Sequence, residues 1–257
     1  MRTNKTYPAI LILIFAGLAL ARADLTAGAF RTALANLSSG GLPALKIVFE
    51  IFLLGSILLA VARAIAVDAD PLMDGFAVAA ACVYGYLAEL AGTTYGLWTY
   101  YTGERPPLWI IPAWPIGALV IMRLSHRLEA GLESSLGESW SGALYWLWVV
   151  VFYSVFIAFI AGKLTAPESV FAVALVSAAL FAGAVRRRDL SVLLAGTACV
   201  FWADLWGTTS YCWRYHTGTT AFGMAAGISF GMLFDSVLVL AAVKTAAAAR
   251  RLLTGVV

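Results

Sequence analysis

The chain has 257 residues, of which 62% are hydrophobic and only 12% charged, and its mean hydropathy is +0.88. A soluble domain of this size carries roughly twice that charged fraction. The formal net charge of +3 comes from basic residues dispersed at the ends of apolar runs, which leaves no nucleic-acid footprint and points to a polytopic membrane protein.

Read in chain order, apolar windows fall at 8–22, 45–65, 75–92, 108–122, 140–162, 168–185, 189–206 and 223–243. A bilayer crossing needs about 20 residues of helix, or somewhat fewer where the ends snorkel. The expected fold class is therefore all-α, a polytopic membrane bundle of about eight transmembrane helices. Before the first window stand Arg2 and Lys5, and the run from Pro8 to Ala21 ends in Ala21-Arg22-Ala23, a pattern that would also suit a cleaved signal peptide. A retained first helix is the reading adopted, and cleavage would leave the orientation of every later helix unchanged. In the second window Lys46 and Glu50 stand four apart and are expected to pair.

When short loops are taken alternately, Arg2, Lys5, Arg63, Arg123, Arg127, Arg186, Arg187, Arg188, Lys244, Arg250 and Arg251 share one side. The other side holds fewer, namely Arg22, Arg31, Lys46, Arg105, Lys163 and Arg214. The positive-inside rule makes the first side cytoplasmic and puts both termini inside a cell membrane.

The third window ends in a segment that returns 115 residues later: residues 88–103, from Ala88-Glu89-Leu90 to Thr102-Gly103, match residues 203–218, from Ala203-Asp204-Leu205 to Thr217-Gly218. Nine of the sixteen positions are identical, and Glu89 pairs with Asp204. Gly-Thr-Thr, Trp and Thr-Gly are not dictated by hydropathy, so the match indicates duplication. Four expected spans separate the copies, so the repeats are parallel, at 1–127 and 140–257, with both motif loops on the outer side.

An acid within a spanning helix costs roughly 2.5–3.5 kcal/mol and marks a functional candidate. Glu89 and Asp204 are the first candidate catalytic acids, and Asp235, in the middle of the last window, is a third. The alternative for the first two is a structural tie, each acid bonding Thr93 or Thr208 of its own motif. Trp98, Tyr100, Trp213 and Tyr215 are expected to line a substrate site with ring faces toward a cation, although Trp and Tyr also populate interfacial belts. Arg214 joins this set and is expected to hold Asp204 ionised, which would leave Glu89 as the proton donor. His126 falls in an expected cytoplasmic loop and His216 in an outer one, so no intramembrane His pair offers a metal site, and no cofactor is expected. Cys82, Cys199 and Cys212 lack CxxC spacing.

Glu89-Leu90-Ala91-Gly92-Thr93-Thr94-Tyr95-Gly96, followed by Tyr100-Tyr101-Thr102 and Leu108-Trp109-Ile110-Ile111-Pro112-Ala113-Trp114, resembles the carotenoid-biosynthesis membrane proteins. That family includes the bisanhydrobacterioruberin and carotenoid 1,2-hydratases, and the resemblance covers residues 88–122. It implies acid-catalysed hydration or cyclisation of a polyisoprenoid lipid, with Glu89 as the one catalytic residue it transfers. Protonating an alkene needs an acid in a dry, aromatic site open to lipid, which agrees with the residues themselves. Two other readings remain: a small proton-coupled carrier with its acids at the repeat interface, and a non-catalytic subunit in which aromatic outer loops dock a partner.

Overall fold

The computed structural model describes residues 4–161, 167–216 and 223–255. Arg2 and Lys163 of the charge pattern, and Thr217 and Gly218 of the second motif copy, lie outside the described residues. The chain divides into two compact units, Met1–Ala69 and Asp70–Val257.

The first unit holds α1 (Thr6–Ala21), α2 (Ala23–Ser39) and α3 (Gly41–Ile65). Arg22 leaves helical geometry at φ −121° and ψ 50°, and α1 and α2 meet there at a bend of 91°. Gly40 and Gly41 then turn the chain with φ of +70° and +60°, a left-handed conformation that glycine adopts without a Cβ penalty. Within α3 the expected Lys46–Glu50 pair forms at 3.5 Å.

The second unit holds α4 (Pro71–Thr94), β1 (Trp98–Tyr100), α5 (Ala113–Ser135), α6 (Glu138–Ile160), α7 (Pro167–Phe181), α8 (Arg186–Thr209), β2 (Trp213–Tyr215) and α9 (Gly223–Thr254). Asp70 caps α4 by accepting from the Met73 amide at 3.2 Å, and Pro71 occupies the first turn, where its missing N–H costs nothing. Helices α4 and α8 each pack against both α5 and α9, while α6 and α7 cover α9. Trp148, Phe152, Phe156 and Phe234 stack with nearly parallel rings and seal α6 onto α9.

The fold is an all-α bundle. Among the described residues, α3, α4, α6, α8 and α9 are long and apolar enough to cross a membrane, and the bent pair α1–α2 makes a sixth if it counts as one span. The apolar helix at α7 is shorter than a full span. Charge interrupts α5, whose helix continues past the expected window through Arg123, His126 and Arg127 to Ser135, so His126 is helical and not in a loop.

The duplication is visible as a local two-fold relation. Helices α4 and α8 have the same length of 24 residues and begin and end 115 residues apart, as do β1 and β2. The strands pair antiparallel with Trp98 opposite Tyr215, Thr99 opposite Arg214 and Tyr100 opposite Trp213. Two further bonds extend the pairing at equivalent positions, Tyr101 N–H to Cys212 C=O at 3.1 Å and His216 N–H to Leu97 C=O at 2.8 Å. Each helix also ends alike, since Leu97 and Cys212 donate to Gly92 and Gly207, both at 2.8 Å. The C-terminal ends of α4 and α8 are therefore at one end of the bundle, and the copies run in the same direction.

Candidate functional site

The first carboxylate is enclosed by its own motif. Glu89 is buried, accepting from Trp98 Nε1 at 3.0 Å, from Trp114 Nε1 at 3.2 Å and from the Tyr100 hydroxyl, which lies 2.9 Å from both of its oxygens. Strand alternation explains why two of these donors converge, because Trp98 and Tyr100 are two apart and share the inner face of β1. The Trp98 ring lies across Gly92, where a Cβ would overlap it, so the glycine makes room for the indole. Burial, then the neighbouring Glu89 carboxylate, pushes the Tyr100 phenol well above its usual range, so it stays protonated and donates.

The second copy repeats part of this. Asp204 is buried and accepts from the Tyr215 hydroxyl at 2.9 Å, while the Trp213 ring lies across Gly207 as Trp98 does across Gly92. Burial and Asp204 likewise push the Tyr215 phenol well up. Trp213 lies beside Asp204 but does not reach hydrogen-bond geometry, and Asp204 Oδ2 is buried without a donor. Asp235, on α9, lies within electrostatic reach of both Asp204 and Glu89 and is half-buried as a residue.

All three candidate acids thus belong to one neighbourhood. Among the described residues no group of three His, Cys, Asp or Glu side chains is placed to hold a metal ion. The structural tie differs from the expected one: Thr93 and Thr208 donate to the backbone carbonyls of Glu89 and Asp204, both at 2.6 Å, and aromatic donors hold the carboxylates. The expected role of Arg214 is corrected. It is the middle residue of β2, exposed on the outer face, and Asp204 lies on the inner side with Tyr215, so Arg214 does not hold Asp204 ionised.

An apolar cavity of about 80 Å³ adjoins the first acid, with Ala88, Gly92, Trp98, Phe156, Phe230 and Phe234 among its lining residues. Trp98 therefore bridges it to Glu89, presenting ring carbon on one side and its N–H on the other. Trp213 packs against Tyr100 at 5.9 Å between centroids, away from that cavity.

Two buried ion pairs at the other end of the helices escaped the sequence reading. Asp74 pairs with Arg123 at 2.6 Å and Asp189 with Lys244 at 2.8 Å. Asp74 and Asp189 are themselves 115 residues apart, so extending the motif comparison upstream would have found them.

Fold and site together define a helical membrane protein with an internally duplicated core. No protein-family model, curated protein or solved structure matches the chain.

Proposed function

We propose that the protein is an integral membrane enzyme that hydrates or cyclises a polyisoprenoid, carotenoid-like lipid by protonating one of its double bonds. The observation that carries this reading is the clustering of three acids, Glu89, Asp204 and Asp235, with Glu89 joined through Trp98 to an apolar cavity walled by Trp98, Phe156, Phe230 and Phe234. A proton given to an alkene carbon leaves a tertiary cation, which aromatic faces stabilise. Water then adds and loses a proton to give an alcohol, or a second double bond closes a ring and a proton is lost. Neither course needs a cofactor. The cavity is smaller than the roughly 300–1,000 Å³ of drug-sized ligand sites, so it suits the branched end of a chain whose remainder stays in the bilayer. Lipid extracts of cells with the gene should contain a hydroxylated or cyclised polyisoprenoid that cells without it lack. Identical extracts would sink the reading.

A second reading, a proton-coupled carrier, draws support from the gathering of the acids between parallel copies. It predicts proton flux across vesicles and unchanged lipid.

The Lys and Arg asymmetry supports cytoplasmic termini in a cell membrane. Single cysteines after residues 70, 130 and 187 should label from the cytoplasm, and those after 103, 165 and 218 from outside. Labels at 103 and 218 on opposite sides would overturn this orientation.

A further inference from the structure

The two copies run in register through their first helix and strand, but the second has six more residues between the strand and the paired cation. Tyr100 precedes Arg123 by 23 residues, whereas Tyr215 precedes Lys244 by 29. Because these cations close equivalent buried ion pairs, they anchor the comparison of α5 with α9. Trp114 stands nine residues before Arg123, and Asp235 stands nine before Lys244. The place that supplies an indole donor to Glu89 in the first copy is thus filled in the second by another acid.

The consequence for the two carboxylates is unequal. Glu89 has donors on both oxygens and is shielded from further chemistry. Asp204 has one donor, and its buried Oδ2 has none. Gly227, Gly231 and Asp235 follow one another at four-residue steps on one face of α9. Gly227 abuts Tyr215, and Gly231 abuts Asp204 Oδ2 and the Tyr215 hydroxyl, so Asp235 comes one turn further along the same face. The titratable groups facing this place are Glu89 from α4, Tyr100 from β1, Asp204 from α8 and Tyr215 from β2. Among the described residues no Lys, Arg or His side chain hydrogen-bonds or ion-pairs with Asp204 or Asp235.

We propose that Asp204 and Asp235 form the proton-holding site of the protein, with Asp235 carrying the transferable proton, and that Glu89 is a fixed acceptor holding Trp98 against the apolar cavity. Two neighbouring carboxyl groups with no cation paired to either hold a proton between them, because like charges without a compensating partner oppose ionisation of both. Asp235 is half-buried as a residue, whereas Asp204 is buried. In turnover Asp235 gives its proton to the alkene carbon and becomes a carboxylate. The water that adds to the cation returns a proton to it, so water is the one co-reactant consumed. The assignment depends on the proposed acid catalysis for the proton's destination but not for its location.

The test is infrared spectroscopy of the purified full-length protein in phospholipid vesicles at neutral pH. The wild type should show the C=O band of a protonated carboxyl group, shifted down in D2O. Asp235→Asn and Asp204→Asn should each remove at least half of its intensity, Asp235→Glu should keep it at a changed frequency, and Glu89→Gln should leave it. The helical amide band of the same spectra verifies folding of each variant. No protonated-carboxyl band in the wild type, or a band lost with Glu89→Gln and kept in Asp235→Asn, overturns the proposal. A band behaving as expected supports the proton site even where no lipid product forms, so the two proposals fail separately.

Discussion

Replacing Asp74 with alanine is expected to destabilise the second unit by about 3–5 kcal/mol, because it strands the Arg123 guanidinium in the interior. The two side chains are 4% and 3% exposed and meet at 2.6 Å, so neither can turn to water when its partner is removed. The equivalent change at Asp189 should cost less. Lys244 is 23% exposed and also donates to the carbonyls of Ala179 at 2.9 Å and Ala182 at 3.1 Å, so it retains partners when Asp189 is lost. Removing both charges, as in Asp74→Leu with Arg123→Leu, should recover most of the loss, since the desolvation cost of each ion disappears with its charge. Unfolding of the detergent-solubilised protein with increasing SDS measures all three. A loss below 1 kcal/mol for Asp74→Ala would show that Arg123 finds water or another acceptor.

Replacing Glu89 with alanine should also be costly, for a different reason. It leaves the indole N–H groups of Trp98 and Trp114 and the Tyr100 hydroxyl without their common acceptor, and each buried orphan costs about 1–3 kcal/mol. Sharing one site, the three losses do not add, and about 3 kcal/mol in total is expected. Glu89→Gln keeps the volume and one acceptor oxygen, and the Tyr100 hydroxyl can turn to accept from the new amide. It should therefore lie at least ~1 kcal/mol closer to the wild type in the same SDS titration. Equal stability of Glu89→Ala and the wild type would mean that the three donors are not held by this carboxylate.

Much of this organisation is legible from residue order. The long apolar runs specify helices, and the 115-residue repeat brings out Glu89 and Asp204 together with Trp98, Tyr100, Trp213 and Tyr215, all six of which meet in one neighbourhood. The rest depends on contacts that local pattern does not encode. Strands of three residues carry no periodicity of their own, and β1 exists because its partner is duplicated far along the chain. Helix α2 is too polar for a hydropathy window, yet Phe30, Leu34 and Leu37 recur along one side of it at helical spacing. The strand alternation that turns Arg214 outward follows from its long-range pairing with Thr99, which residue order alone does not encode. Trp114 and Asp235 correspond only after the six extra residues of the second copy are allowed for, and the ion pairs that reveal the shift are tertiary contacts.

Deuterium labelling tells whether carboxyl groups protonate an isoprenoid double bond, as proposed. The purified protein, in vesicles containing an acyclic carotenoid and prepared in D2O, should place one deuterium on carbon in each hydrated product. That deuterium should survive return to ordinary water while the hydroxyl deuterium exchanges, and Asp235→Asn should slow its appearance by about 10²–10⁴-fold. Carotenoid recovered unchanged, or product formed without deuterium on carbon, would rule out protonation of the alkene.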